Sequence, residues 1–228
     1  MKMKSHSSNF FTFFLVAFTI IHVCLADCDN LQDSCIADSP GNQFINGLPY
    51  KNPTNTSAHN FKSTELSKSG SRDKFGASIN IVTASNFPGL NTLGLSIGRI
   101  DIQVDGIVNL HNHPRATEMI FVKEGVVAAA FLDTQNKLFQ KLLKAGDVFV
   151  VPKGLFHFLL NRGVEVATVV SVFNGQNPGF ETLMGTTPSD DTTLESVEKV
   201  KRKLIAVSDL ELHGVNDSTL AMLEIIYS

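Results

Sequence analysis

The run Glu118–Asn161, EMIFVKEGVVAAAFLDTQNKLFQKLLKAGDVFVVPKGLFHFLLN, decides the fold class. It holds short apolar or alternating segments at Glu118–Val122, Val126–Leu132, Phe139–Leu143, Val148–Val151 and Phe156–Leu160. Glu124-Gly125, Gly146-Asp147 and Pro152-Lys153-Gly154 interrupt them with residues that favour turns. Val, Ile and Phe dominate the segments, as suits half-buried pleated positions. The same grammar extends outward. Ile79–Thr83 and Leu93–Val104 come before the run, with Asp105-Gly106 between, and Val164–Phe173 follows Asn161-Arg162-Gly163. Many short, evenly spaced strands predict an all-β sandwich or barrel.

The period changes beyond the strands. Leu194, Val197, Val200 and Leu204 recur at helical spacing, with Thr192 and Glu195 in the capping-box relation ahead of them. Leu220–Ile226 is compatible with helix or strand. The tail, residues 191–228, therefore reads as a short helical segment packed on the barrel or on a neighbouring subunit. Residues 27–75, rich in Asn, Ser, Gly and Pro, read as an irregular arm, and residues 76–190 as the barrel.

The start of the chain has the layout of a secretory signal peptide. Lys2 and Lys4 form a basic region, Phe10–Val23 an apolar core, and Cys24-Leu25-Ala26 supplies small residues at the cleavage positions. Cleavage after Ala26 leaves one β-rich domain of about 200 residues. No later segment has the length of a membrane span. The net charge is −3 and becomes more acidic once Lys2 and Lys4 leave, which argues against nucleic acid as a partner. Cys28 and Cys35 are the cysteines left in the mature chain. An oxidising compartment favours a disulfide between them, closing a small loop for roughly 2–3 kcal/mol at most. Asn55-Thr56-Ser57 and Asn216-Asp217-Ser218 are N-glycosylation sequons.

The chemistry collects on four residues. In His111-Asn112-His113 the two imidazoles stand two apart and share one face of an extended strand. Glu118 opens the next apolar strand after Pro114, and His157 follows the turn Pro152-Lys153-Gly154. An HxH pair is common by chance, and a lone His between Phe156 and Phe158 is more often a satisfied core residue. The set is more telling than its parts, because burying four such groups without a partner is costly and a shared cation removes the cost. His59 in the arm and His213 in the tail read as surface residues.

Two stretches carry a family resemblance. Gly106–Gly125, GIVNLHNHPRATEMIFVKEG, resembles the first sequence box of the germins, plant members of the cupin superfamily, at Gly106, His111, His113, Glu118 and Gly125. Gly146–Asn161 resembles the second box at Gly146, Pro152, Gly154, His157 and Asn161. LQDSCIAD (Leu31–Asp38), LNTLGLSIGRID (Leu90–Asp101) and FNGQNPG (Phe173–Gly179) extend the likeness over most of the mature chain. The resemblance implies a cupin jelly-roll β-barrel with manganese held by His111, His113, Glu118 and His157. It also implies a secreted, glycosylated protein of the extracellular space or cell wall, a homo-oligomer built as a hexamer from a trimer of dimers. Imidazoles with one hard carboxylate suit manganese, with iron or zinc as alternatives, and no thiolate joins the set.

The chain also departs from the pattern. Germins pair the cysteine of the LQDxC segment with one at the position held here by Tyr50. Oxalate-oxidising members carry asparagines at the positions of Gly98 and Val108, whereas Asn109 is one residue off and faces the other side of a strand. These changes argue against oxalate oxidation. The function expected is a metalloprotein with superoxide dismutase-type redox activity, in which the four ligands act only through the metal and a small anion is the partner. Plant defence or stress is the role the family suggests. The alternative is a non-enzymatic cell-wall protein whose metal only stabilises the barrel. A further cupin chemistry, on an organic acid or sugar, would draw on Arg99 and Arg115.

Overall fold

The computed structural model describes residues 34–37, 44–45, 47–49, 55–182 and 194–212, and helix side chains over residues 197–206. The leader, Cys28, Tyr50, Thr192, His213, Asn216 and Leu220–Ile226 lie outside the described residues, and with Cys28 the pairing expected for Cys35. Cys35 itself is buried. No described helix is long and apolar enough to cross a membrane.

A two-stranded ribbon, β1 (Phe44–Ile45) and β2 (Leu48–Pro49), precedes the main body. The body consists of β3 (Ala77–Val82), β4 (Ser96–Ile102), β5 (Ile107–Asn112), β6 (Glu118–Glu124), β7 (Val126–Leu132), β8 (Leu138–Lys144), β9 (Val148–Val151), β10 (His157–Asn161), β11 (Ala167–Phe173) and β12 (Glu181–Thr182). They form two antiparallel sheets of five strands, ordered β12-β5-β10-β7-β8 and β3-β4-β11-β6-β9. Successive strands alternate between sheets from β9 to β12, which is jelly-roll winding. The expected all-β jelly roll is the observed one.

Two apolar cores flank the first sheet. Val108, Val127, Ala129 and Leu159 pack inside the barrel with Ile100, Ile102, Ile120, Val122 and Val169 of the other sheet. Ile107, Leu110, Ala128, Ala130 and Phe158 point the other way. There they meet Val197, Val200 and Leu204 of α1 (Leu194–Leu212), the one α-helix among the described residues. The helical spacing of these three puts them on one face, and each fully buried side chain of this size contributes roughly 1.5–3 kcal/mol.

The expected strand Leu93–Val104 is shorter in the structure, because residues 88–95 form a 3-10 turn and connecting turns. Val164–Phe173 likewise begins pairing only at Ala167, and Val164 is 92% exposed. In the Glu124–Val126 turn, Gly125 has φ +88, and a Cβ there would meet Ala167 at 2.8 Å, so glycine is required on both counts. Asn161 closes the far end of the barrel: its amide nitrogen donates to the carbonyls of Ile102, Gln103 and Glu165.

Candidate metal centre

His111 and His113 come from β5 and the residue after it, Glu118 is the first residue of β6, and His157 is the first of β10. The register sets His157 directly opposite His111. One irregularity makes this face possible. Between the pairs Leu159↔Val108 and His157↔His111, β5 carries an extra residue, so Asn109 and Leu110 together oppose Phe158. The bulge lets Val108 and His111, three apart, both face the barrel interior.

The four residues are almost wholly buried, with 1–3% of each exposed. Their ligand atoms all lie within 4.8 Å of one another. Each imidazole is oriented by a backbone carbonyl. His111 Nδ1 lies 2.7 Å from the Asn109 oxygen, His113 Nδ1 2.6 Å from that of Gly179, and His157 Nδ1 2.9 Å from that of Leu155. A carbonyl only accepts, so each Nδ1 carries the proton and donates it. Each Nε2 is then left as a lone-pair donor toward the centre.

Those lone pairs converge on Glu118. Its Oε2 lies 2.7 Å from His157 Nε2 and 3.4 Å from His113 Nε2. Glu118 Oε2 and His157 Nε2 are nevertheless without a hydrogen-bond partner. Two acceptors at this distance repel unless a positive charge sits between them. A divalent cation satisfies all four groups at once, so the residues fit a metal. Burial pushes the Glu118 carboxyl up, the largest single influence, yet in the metal-free chain a proton on the facing His157 and His113 nitrogens, in the place a cation would take, supplies the charge and hydrogen bonds that hold it well below the usual range. His111 is held well below the ordinary histidine value, first by burial and then by the charge of His157. An ionised carboxylate and a neutral imidazole are the forms that bind metal.

The loops explain how the carbonyls arrive. Gly154, with φ +75, closes the turn that leads into His157, and its N–H donates to the His113 oxygen at 3.1 Å. The segments 113–117 and 174–179 clasp each other. Arg115 N–H donates to Pro178 O at 3.0 Å, its guanidinium donates to Asn177, and Thr117 N–H donates to the Asn174 side chain at 2.8 Å. The clasp delivers the Gly179 carbonyl to His113. It also brings in two aromatic rings that sequence reasoning missed. Phe180 stacks on His111 at 4.7 Å between ring centroids, and Phe173 meets His113 edge-on at 4.6 Å. Phe180 also lines a mainly apolar groove with Ala77, Ile79 and Ile81 of β3, at the seam between the sheets. Nothing in the residue types of FNGQNPGF announces these contacts, since the decisive atoms are backbone.

The other expected residues lie elsewhere. Arg99 donates to Asp101 and to the carbonyls of Leu66 and Ser67, while Arg115 serves the clasp, so neither guanidinium is committed to the cluster. His59 and Asn55 are exposed. Gly98 and Val108 are buried on the inner face.

A jelly roll with HxH, a following glutamate and a distant third histidine gathered at one end of its interior defines the cupin class. The cupin family profile matches residues 65–223. Germin-like protein subfamily 3 member 4 of Arabidopsis thaliana is 51% identical over 172 residues, covering 73% of this chain and 81% of that protein. Germin-like protein 11-1 of Oryza sativa subsp. japonica is 43% identical over 198 residues, 86% of this chain and 87% of that protein. Among solved structures, recombinant oxalate oxidase in complex with glycolate superimposes with a TM-score of 0.66 at 33% identity, over 79% of this chain and 99% of that one. The chain belongs to the germin-like family of cupins.

Proposed function

We propose that this protein is a secreted germin-like metalloprotein that binds one manganese ion through His111, His113, Glu118 and His157 and removes superoxide. The observation that carries the reading is the convergence of three imidazole Nε2 atoms, each fixed by a carbonyl on Nδ1, upon a buried carboxylate with no other partner. Bound manganese would supply one-electron chemistry, by which two superoxide ions and two protons become dioxygen and hydrogen peroxide. The chain's own residues hold the ion, keep the imidazoles neutral and exclude bulk water. One carboxylate leaves a divalent centre net positive, which favours a small anion. Oxalate oxidation is not part of this reading, because Gly98 and Val108 present no side-chain donor.

The leader over residues 1–26, the Cys28–Cys35 pairing and glycosylation at Asn55 and Asn216 belong to the same reading, which puts the protein in the apoplast or cell wall with a role in defence or stress. The exposure of Asn55 supports its use. A homo-oligomer, a hexamer as a trimer of dimers, is supported by the row Met119, Phe121, Val148, Val150 and Val172, which leaves apolar side chains 38–53% exposed on one sheet face.

The test is elemental analysis of protein secreted from a plant host and purified without chelators, followed by a superoxide assay. About one manganese per chain, lost in His113→Ala and Glu118→Ala, together with superoxide consumption, is the expected result. Loaded protein that consumes no superoxide overturns the redox reading. It would favour a second one, a cell-wall protein whose metal only stabilises the barrel, for which the cover of Phe180 over His111 is the specific support.

A further inference from the structure

We infer that Phe180 is a gate, a ring that swings aside into the groove between β3 and β12 to let the metal ion enter and leave the ligand cluster. The inference rests on the metal-centre reading of His111, His113, Glu118 and His157, and not on the redox one.

The four ligand side chains are almost wholly buried, so an ion must displace something to reach them. Two phenylalanine rings touch the cluster. Phe173 is 1% exposed and packs inside the barrel against His113. Phe180 is 37% exposed, stacks on His111 with its ring 21° from parallel, and stands edge-on to His113 at 5.7 Å. Of the two, Phe180 alone meets both the ligands and solvent.

The groove gives the ring a place to go. It runs along Ala77, Ile79 and Ile81 of β3, with Ser71 and Asp73 beside the start of that strand. Its volume is about 270 Å³. An apolar cavity of roughly 150 Å³ already holds a benzene ring. The backbone on either side of Phe180 is fixed. The Gly179 carbonyl accepts from His113 Nδ1 at 2.6 Å, and Glu181 and Thr182 pair with Asn112 and His111. The main chain therefore stays while the side chain turns between staggered rotamers, and His113 keeps its aim during opening.

The groove suits a cation as cargo. Among the described residues lining it, Asp73 is the charged one. A carboxylate there draws cations in and turns small anions away, though Lys201 is near enough to offset part of its field.

The experiment loads the full chain with manganese, measures its content, adds excess EDTA and follows the bound ion by electron paramagnetic resonance. Phe180→Ala is expected to release manganese about tenfold faster than wild type, the rate equivalent of one stacked ring pair, with the starting content unchanged. Ser71→Phe, at an exposed position on the groove, is expected to slow release several-fold by occupying the space the ring needs. The opposite signs are decisive, because a general loosening of the site speeds release in any variant. Release at the wild-type rate in Phe180→Ala, or at or above that rate in Ser71→Phe, would overturn the inference. Where Phe180→Ala does not fold, Phe180→Leu, which leaves part of the imidazole face uncovered, is read by the same criteria. A wild type without manganese is a separate result, seen before EDTA is added, and removes the metal-centre reading itself.

Discussion

The two sheets of the barrel are built to different rules. The sheet β12-β5-β10-β7-β8 carries all three histidines and is covered on both faces along β5 and β10, where every residue is buried. The sheet β3-β4-β11-β6-β9 contributes Glu118 alone and shows buried and exposed residues in turn, as in the Glu118–Glu124 pattern of β6. A strand buried twice over fixes its side chains from both directions, which suits a site whose imidazoles must not move. A half-exposed strand tolerates variation outside while keeping its inner residues. Rigidity at the centre is thus drawn mainly from one sheet, and Glu118 brings the other sheet to the cluster.

This contrast can be attacked at several points. The largest effect is expected at Phe158, wholly buried between β10 and the helix: Phe158→Ala should cost about 3–5 kcal/mol in urea unfolding. A loss under 1 kcal/mol would mean that the outer cover contributes little. Ala129 tests the inner side of the same sheet. Ala129→Leu adds volume to a site with 0% exposure and should cost about 1–3 kcal/mol, measured in the same way.

Acid should loosen the junction between the sheets. The unfolded chain protonates His111 at the ordinary value near 6.5, whereas the folded chain does so only well below it. Between those points the unfolded state binds the extra proton, so stability falls as pH drops through about 6.5. Glu118 acts in the same direction at lower pH, because its folded value lies well below 4.5 and the unfolded chain protonates first. Calorimetry of the apoprotein from pH 7 to 4 should show a falling Tm, and a Tm that rose on acidification would contradict this burial pattern. The smallest effect belongs to the exposed sheet. Lys123→Ala removes a surface pair with Glu124 at 3.1 Å and should shift stability by no more than about 0.5 kcal/mol.

The same contrast explains what the sequence disclosed. Val126–Leu132 and Val148–Val151 coincide with β7 and β9, because apolar runs bounded by turns are readable whichever face is covered. The HxH pair implies extended backbone near His111, but no apolar alternation delimits Ile107–Asn112 as a strand. Burial on both faces and the bulge at Asn109-Leu110 erase the alternation that would mark it. The four candidate ligands are recognisable by residue type, and the structure brings them together. The carbonyls of Asn109, Leu155 and Gly179 that aim the imidazoles have no signature, since every residue carries one. Phe180 stayed hidden for a related reason: a ring at the start of a short strand acquires meaning only from the neighbour it covers.

The hold of Gly179 on His113 has a consequence for timing. The donors arise between residues 111 and 157, but the oxygen that aims His113 belongs to residue 179. A chain emerging during synthesis therefore presents a half-made chelator. His113 is aimed only once the segment leading into the last strand of the barrel has docked. If the four side chains hold a cation, its identity would then depend on which ions are on offer where folding finishes, as much as on ligand affinity.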